Sequence, residues 1–302
     1  MQLRQMGRDG PHISSIGLGA WPIGGGMGPV DEKEAIDTIR AAIDSGITFL
    51  DTAQAYRTSE DTLGKALRDG YRQRCFLATK VSGQYARQDI YQAMDQSLQA
   101  LGVDHVDLYQ IHSWNPQYPV AESIEAMLDL QRAGKTRYIG VSNYNAAQME
   151  EALQTGFFHS NQPRYNLFDR QIEREDLPFC KQQGIGLLAH SPLAKGLLTD
   201  KYRPNHLFSS NDERSGFPRF QGQLFERYIT CADELARLGA DKGLSLVQLA
   251  IAWVLRHASV SCVLVGAKNK TQVQEHLGAL SAEFSVEELK RIDEIVQKIS
   301  RD

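Results

Sequence analysis

The feature that most constrains the fold is an alternation of short apolar runs of β type with longer segments of helical period, from about residue 17 to residue 277. Eight such runs occur, and most of them are followed by a segment whose apolar residues recur at helical spacing. Strands that alternate with helices favour a parallel sheet, and eight repeats close such a sheet into a barrel. The sequence therefore predicts an α/β protein with a single (β/α)8 TIM barrel.

The boundaries of the predicted elements follow from where each pattern changes. The strands are GLGA from residue 17, TFLD at 48–51, CFLATK at 75–80, VDLYQIH at 106–112, RYIGVS at 137–142, SNQPRYN at 160–166, IGLLAH at 185–190 and VSCVLVG at 260–266. The helices that follow these strands are expected at about 31–44, 59–67, 88–101, 120–133, 146–155 and 271–277, with one more that ends at residue 183. Extra helices are expected at 224–242, at 245–256 and from Ser285.

Other segments lie outside this repeat. The runs 3–6 and 13–18 flank an Asp9-Gly10 turn and predict an N-terminal β-hairpin. No change of composition and no linker divides the chain, so residues 1–302 are expected to form one domain. The stretch 202–223 has no period, which is rare in a compact domain, and we weigh two hypotheses for it: a lid over the functional site and a disordered surface insertion.

Composition and charge restrict the class of partner. With 33 basic and 37 acidic residues the net charge is −4, and the basic residues are scattered, so neither nucleic acid nor an anionic membrane is an expected partner. The N-terminus lacks the apolar core of a signal peptide, and no apolar run is long enough to span a membrane. The four cysteines lie far apart without a CxxC pair, which predicts reduced thiols and a cytoplasmic location.

Four polar residues follow the ends of three neighbouring predicted strands. Asp51 ends the second strand with Tyr56 in the loop behind it, Lys80 ends the third and His112 the fourth. Each residue by itself also has a purely structural explanation. Asp51 could cap a helix, Tyr56 could be an ordinary loop aromatic, Lys80 could extend its charge to solvent, and His112 could be a buried core histidine. Together they converge on the strand ends where barrel enzymes carry their chemistry, and they predict a proton-transfer site.

The chemistry of these four groups is complementary. A tyrosine has a pKa near ~10, and the ammonium group of Lys80 is expected to lower that of Tyr56 by stabilising its anion. Asp51 supplies the counter-ion that a buried ammonium needs, and His112 can orient or polarise a carbonyl against Tyr56. His105 and His112 are seven residues apart and no HxH or HExxH motif occurs, so no metal site is predicted.

At these residues the sequence resembles the aldo-keto reductase family, and the resemblance covers nearly the whole chain. GITFLDTAQAY at 46–56 is similar to the family's GxxxxDTAxxY signature, LATK at 77–80 to its lysine motif and VDLYQIH at 106–112 to its histidine motif. GKTRYIGVSNY at 134–144, NQPRYN at 161–166 and SPLAKGLLT at 191–199 also fit. The resemblance implies that Asp51, Tyr56, Lys80 and His112 are the catalytic tetrad of an enzyme that transfers hydride between a nicotinamide cofactor and an aldehyde, ketone or sugar carbonyl.

The resemblance also implies how the cofactor is held. Ser142, Asn143 and Gln162 would bind the carboxamide end of the nicotinamide, and backbone groups of Ser191, Leu193 and Gly196 would meet the pyrophosphate. Lys268, Gln272 and Glu275 lie where the family binds the adenosine. Because no acidic residue lies between Gly266 and Gln274, Lys268 is expected to bind the 2′-phosphate of NADPH, with NADH a possible cofactor.

Two positions depart from the family pattern. His190 stands where an aromatic residue usually stacks on the nicotinamide, and His276 stands where an asparagine usually lies near the adenine. An imidazole offers less stacking area, so a tyrosine at position 190 is expected to bind the cofactor more tightly. The glycine-rich 24–28 lacks the strand, helix and acidic residue of a dinucleotide fingerprint and is interpreted as the loop of the first barrel strand.

Substrate and activity are the remaining expectations. The candidate substrate-binding residues are Trp21, Trp114 and Tyr85, together with 202–223. For either tryptophan, a place in the buried core is an equally good interpretation of the sequence. The expected activity is NADPH-dependent reduction of a small carbonyl substrate. Two alternatives remain: an NAD(P)-dependent sugar or polyol dehydrogenase, and a regulatory subunit that senses the cofactor without turning over a substrate.

Overall fold

The computed structural model describes residues 1–209 and 212–300, and a closed barrel of eight parallel strands lies at its centre. The strands follow one another around the ring in chain order, and the last pairs with the first. They are β3 (Ile16–Gly19), β4 (Phe49–Asp51), β5 (Phe76–Val81), β6 (Val106–Ile111), β7 (Thr136–Ser142), β8 (Ser160–Gln162), β9 (Gly186–His190) and β10 (Val260–Val265). The (β/α)8 prediction is confirmed.

Helices pack around this barrel. They are α1 (Glu32–Asp44), α2 (Ser59–Ala66), α3 (Arg87–Leu101), α4 (Val120–Arg132), α5 (Ala146–Leu153), α6 (Asp176–Gln183), α7 (Gly222–Ala240), α8 (Leu246–Leu255), α9 (Lys270–Leu277) and α10 (Val286–Gln297). Their starts follow the sequence closely: Ser245 and Ser285 each form a capping box at the start of α8 and α10. No helix in the described part of the chain is long and apolar enough to cross a membrane.

The N-terminal hairpin is shorter than predicted. Its strands are β1 (Leu3–Gln5) and β2 (His12–Ser14), and β3 begins two residues later. The predicted single run 13–18 is therefore wrong: its first part pairs with β1, and its second part pairs with β4 and β10. The chain changes partner at Ser14, whose hydroxyl accepts the backbone N–H of Phe49 at 3.0 Å and donates to the carbonyl of Ile16 at 2.8 Å.

The hairpin closes the barrel at the N-terminal ends of its strands. Met6 and Ile13 are fully buried against Phe49, Leu188 and other residues inside the barrel. Because this end is closed, the polar residues at the opposite, C-terminal ends of the strands surround the opening of the barrel.

Candidate active site

A cavity of about 590 Å³ opens at the C-terminal ends of the strands. The predicted site residues that line it are Trp21, Asp51, Tyr56, His112, Gln162, His190, Ser191, Leu193, Gly196, Lys268, Gln272 and Glu275. Residues predicted at separate positions along the chain thus meet in one cavity. The cavity extends from Tyr56 and His112 to a second end near Lys268 and His276.

Five other predicted residues do not line the cavity. Lys80, Ser142 and Asn143 lie directly behind residues that do, and each is hydrogen-bonded to one of them. Tyr85 is buried, with its hydroxyl 3.1 Å from that of Ser113, and Trp114 packs edge-on against Tyr144 with ring centroids 5.2 Å apart. Neither residue lines the cavity, so the structure does not bring Tyr85 and Trp114 together with the other predicted substrate-binding residues.

Lys80 and Asp51 form a buried ion pair beneath the cavity. Lys80 Nζ lies 2.6 Å from Asp51 Oδ2 and donates to the carbonyl of Thr52 at 2.8 Å. The other carboxylate oxygen, Oδ1, accepts from the side-chain amides of Gln110 at 3.2 Å and Gln162 at 2.8 Å. Burial lowers the pKa of Lys80, but Asp51 and Tyr56 raise it by more, so the ammonium stays charged.

Tyr56 lies directly above this pair, with Lys80 Nζ 5.0 Å from the centroid of its ring. Burial raises the pKa of Tyr56, and the positive charge of Lys80 lowers it by less, so the net shift is upward. The expected net lowering is therefore wrong, although the direction of the Lys80 contribution is as predicted. In the free site the phenol stays protonated at neutral pH and can act as an acid.

The glycine-rich loop 24–28 packs closely against Tyr56 and Trp21. A Cβ at position 24 would lie 2.0 Å from the carbonyl oxygen of Tyr56, and one at position 26 would lie 2.1 Å from the Trp21 ring. Only glycine lets the loop approach so closely. The interpretation as the loop of the first barrel strand is confirmed, and the loop holds Tyr56 and Trp21 in contact, with ring centroids 5.1 Å apart.

His112 faces Tyr56 across the cavity, with ring centroids 5.5 Å apart. Its Nδ1 lies 2.7 Å from the hydroxyl oxygen of Ser82. Burial and the charge of Lys80 lower the pKa of His112 to about 3, so the imidazole is neutral at neutral pH. A neutral imidazole beside a phenol can donate one hydrogen bond to a carbonyl oxygen placed between them.

His190 is held by both of its ring nitrogens. Nε2 lies 2.8 Å from Asn143 Oδ1, and Nδ1 lies 2.9 Å from Ser191 Oγ. Asn143 in turn donates to the carbonyl of His112 at 3.1 Å. Asn143 and Ser191 have φ angles of 58° and 57°, a region that non-glycine residues rarely adopt outside functional sites. The imidazole therefore links the ends of β7 and β9 in addition to offering a flat face to the cavity.

The far end of the cavity is rich in basic groups. Lys201, Arg214 and Lys268 all line it, and Lys268 Nζ donates to the carbonyl of Met27. Burial and then the charges of Arg214 and Lys201 lower the pKa of Lys268. Asp212 pairs with Arg214, whereas Lys201 and Lys268 form no ion pair with the described residues. A ligand with a phosphate group would offset this excess of positive charge.

The segment 202–223 runs along one wall of the cavity. It contains two short 3-10 turns, Glu213–Gly216 and Pro218–Phe220, while its residues 210 and 211 lie outside the described part of the chain. Glu213 accepts a hydrogen bond from the Trp21 indole at 3.3 Å and pairs with Lys195 at 2.7 Å. Tyr202, Glu213 and Arg214 line the cavity, so the segment is part of the site rather than a separate surface insertion.

Several residues of the site had no distinctive sequence signal. Arg214 lies in a segment without periodicity, Gln110 is a common polar residue on an assigned strand, and Ser82 directly follows β5. Ser82 lies two residues after Lys80, and this spacing was the one signal that pointed to it. No cluster of metal-binding side chains occurs within residues 1–209 and 212–300.

Comparison with known proteins agrees with this geometry. The family model described as "Aldo/keto reductase family" matches residues 15–297. The aldo-keto reductase YhdN of Bacillus subtilis (strain 168) is 36% identical, over 100% of this chain and 96% of its own. The NADH-specific methylglyoxal reductase of Escherichia coli (strain K12) is 31% identical, over 96% of both chains.

A solved structure extends the agreement to the fold. The glycerol dehydrogenase AKR11B4 from Gluconobacter oxydans superimposes with a TM-score of 0.89 at 32% identity, covering 99% of this chain and 96% of that one. Family model, relatives and structure thus agree over nearly the full length. The chain belongs to the aldo/keto reductase family and is an NAD(P)H-dependent oxidoreductase.

Proposed function

We propose that the chain reduces small aldehydes, ketones or sugar carbonyls with NADPH, and that Tyr56 donates the proton. The observation that carries the proposal is the meeting of Tyr56, His112 and the buried Lys80–Asp51 pair at one end of a cavity whose other end is basic. A proton donor and a charge-stabilising pair are what carbonyl reduction requires of a protein.

Each member of the tetrad has a distinct task in this proposal. The bound nicotinamide supplies the hydride. Tyr56 keeps its proton at neutral pH because burial raises its pKa, and the ammonium of Lys80 stabilises the phenolate that remains after donation. Asp51 holds that ammonium in place at 2.6 Å, and His112 orients the carbonyl oxygen toward the Tyr56 hydroxyl.

The residues present fit the proposed cofactor along the whole cavity. Asn143 and Gln162 are positioned by Ser142, whose hydroxyl donates to the carbonyl of Gln162 at 2.8 Å. Gly196, with φ of 100°, lines the cavity at a tight turn in which its own N–H donates to the carbonyl of Leu193 at 2.8 Å, and we propose that the pyrophosphate meets this turn. We propose that the cofactor lies from His190 and Ser191, past Leu193, to the group formed by Lys268, Gln272 and Glu275.

The basic end of the cavity supports NADPH rather than NADH. The 2′-phosphate carries nearly two negative charges, and Lys201 and Lys268 lie there without carboxylate partners among the described residues. The E. coli relative is NADH-specific, so the preference needs a direct test. The four unpaired cysteines are consistent with a cytoplasmic location, which we also propose.

The cofactor preference is tested by changing Lys268 to Ala. Loss of a charged hydrogen bond is expected to weaken NADPH binding by about 1 to 3 kcal/mol and to leave NADH binding nearly unchanged. Lys270→Ala is the matched control, because Lys270 is exposed on the same segment and its ammonium lies 3.9 Å from Asp37. Equal losses for the two cofactors in the Lys268 variant would show that it does not contact the phosphate.

The proton donor is tested by changing Tyr56 to Phe. General acid catalysis contributes about 10²- to 10⁴-fold, so kcat should fall by that factor while cofactor affinity stays nearly constant. Tyr71→Phe removes a phenol that lies near the surface beside Asp44 and should leave kcat unchanged. If the Tyr56 variant kept more than about half of kcat, Tyr56 would not be the acid.

One observation favours a second function. The solved structure with a TM-score of 0.89 is a glycerol dehydrogenase, so oxidation of a polyol is the alternative direction. Steady-state rates with NADPH and a panel of aldehydes, compared with NADP⁺ or NAD⁺ and polyols, separate the two. Tight cofactor binding without turnover in either direction would instead indicate a cofactor-sensing regulatory protein.

A further inference from the structure

Ser82 lies behind the imidazole of His112 and is its hydrogen-bond partner. Ser82 directly follows β5, whose last residue, Val81, pairs with Ile111, the last residue of β6 and the one before His112. The Ser82 hydroxyl oxygen is 2.7 Å from His112 Nδ1. Since the His112 ring also lines the cavity, this contact occupies one ring nitrogen and leaves Nε2 available to a ligand.

A neutral imidazole carries one proton, which resides on either Nδ1 or Nε2. With the proton on Nε2, His112 donates a hydrogen bond into the cavity and attracts a carbonyl oxygen. With the proton on Nδ1, the same position presents a lone pair, which repels that oxygen. The protonation site of a neutral His112 therefore decides whether it supports or opposes a bound carbonyl compound.

The surroundings of the hydroxyl indicate which arrangement is present. Among the described residues, His112 Nδ1 is the only hydrogen-bond partner of the Ser82 hydroxyl. Donation to Nδ1 satisfies the hydroxyl hydrogen and requires that Nδ1 be unprotonated. The remaining ring proton then lies on Nε2, on the side of the cavity and of Tyr56.

We propose that Ser82 is a positioning residue that selects the Nε2–H form of His112 by donating its hydroxyl hydrogen to Nδ1. The role deepens the proposed carbonyl reduction and rests on it. Ser82 itself does not line the cavity, and in this proposal it acts only through His112.

The direct test is the ¹⁵N spectrum of the His112 ring in the full-length protein, labelled at histidine and assigned with a His112→Gln variant. The wild-type ring should show a protonated Nε2 and an unprotonated Nδ1 at pH 7. Ser82→Ala should give a measurable fraction with the proton on Nδ1, and Ser82→Thr, which keeps the hydroxyl, should restore the wild-type spectrum. A wild-type ring protonated on Nδ1 overturns the proposal without any variant.

Kinetics provide the second measurement. Loss of one neutral hydrogen bond is expected to reduce kcat by about 2- to 12-fold in Ser82→Ala, with NADPH affinity unchanged and activity restored in Ser82→Thr. In a His112→Gln background, Ser82→Ala should have no further effect on kcat. Ser113→Ala is the matched control, because that serine contacts Tyr85 instead of His112.

The two readouts separate the inference from the function on which it rests. An unchanged ring spectrum together with an unchanged kcat in Ser82→Ala overturns the role of Ser82 while the reductase assignment stands. A wild-type protein without carbonyl reduction removes the proposed function, and the ring spectrum then still reports whether Ser82 sets the protonation site.

Discussion

Replacing Lys80 with Met would separate the structural role of the buried ion pair from its chemical role. Lys80 is fully buried, and Asp51 is 2% exposed. Removing one partner of such a pair leaves a buried charge, which commonly costs about 3 to 5 kcal/mol. We therefore expect Lys80→Met to lower the free energy of unfolding by about 3 to 5 kcal/mol at pH 7.

Removal of both charges is the matched control. The double variant Lys80→Met/Asp51→Asn removes both charges and keeps a side chain that can bond to Gln110 and Gln162. It should recover most of the stability, because replacing both partners is often nearly neutral.

Urea unfolding followed by circular dichroism at pH 7, without cofactor, compares the wild type, the two single variants Lys80→Met and Asp51→Asn, and the double variant in one double-mutant cycle. A loss below about 1 kcal/mol in the single variant, or a double variant as unstable as the single one, would refute the reasoning. Both variants should remain nearly inactive, since neither stabilises a phenolate at Tyr56. Stability restored without activity would separate the two roles of the pair.

Further outcomes follow from the same site. Because burial raises the pKa of Tyr56 and the pKa of His112 is lowered to about 3, kcat/KM for reduction should be flat from about pH 6 to pH 9. Oxidation of an alcohol requires the phenolate, so its rate should rise with pH over that range; a rise of the reductive rate with pH would contradict this assignment. His190→Tyr loses the hydrogen bonds to Asn143 and Ser191, which contribute about 0.5 to 1.5 kcal/mol each. The better stacking of the larger ring on the cofactor offsets only about one of these two bonds. The structure thus reverses the sign expected from the sequence: cofactor binding should weaken by about 1 kcal/mol in a fluorescence titration, and tighter binding would show that ring area outweighs the hydrogen bonds.

The sequence was informative wherever a residue's role depends on local pattern. Asp51 and Lys80 end apolar runs, and in a closed parallel barrel the ends of neighbouring strands are adjacent, so their pairing could be predicted before any coordinates. The residues that cap helices could also be predicted from the local sequence, as at Ser285. Predicting these residues required no knowledge of the loop conformations.

The sequence was uninformative where the geometry depends on loops or on a balance of opposing effects. Tyr85 turns toward Ser113, and Arg214 turns into the cavity, and neither direction is encoded in the spacing of apolar residues. The net pKa shift of Tyr56 depends on how deeply the ring is buried relative to its distance from Lys80, which only the folded structure defines. The double hydrogen bond of His190 likewise joins the ends of two strands, β7 and β9, that are far apart in the sequence.

The way the barrel closes also bears on how the chain folds. β3 pairs with β10, and Arg4 donates hydrogen bonds to the carbonyls of Leu255 and Val260, the latter 256 residues away along the chain. These contacts bring together the two ends of the polypeptide, and contacts between distant residues slow folding because the intervening loop loses entropy. During synthesis from the N-terminus, the edge of β3 therefore stays unpaired until almost the whole chain has left the ribosome. Until β10 has been synthesised, the nascent protein can therefore aggregate through this unpaired edge of β3.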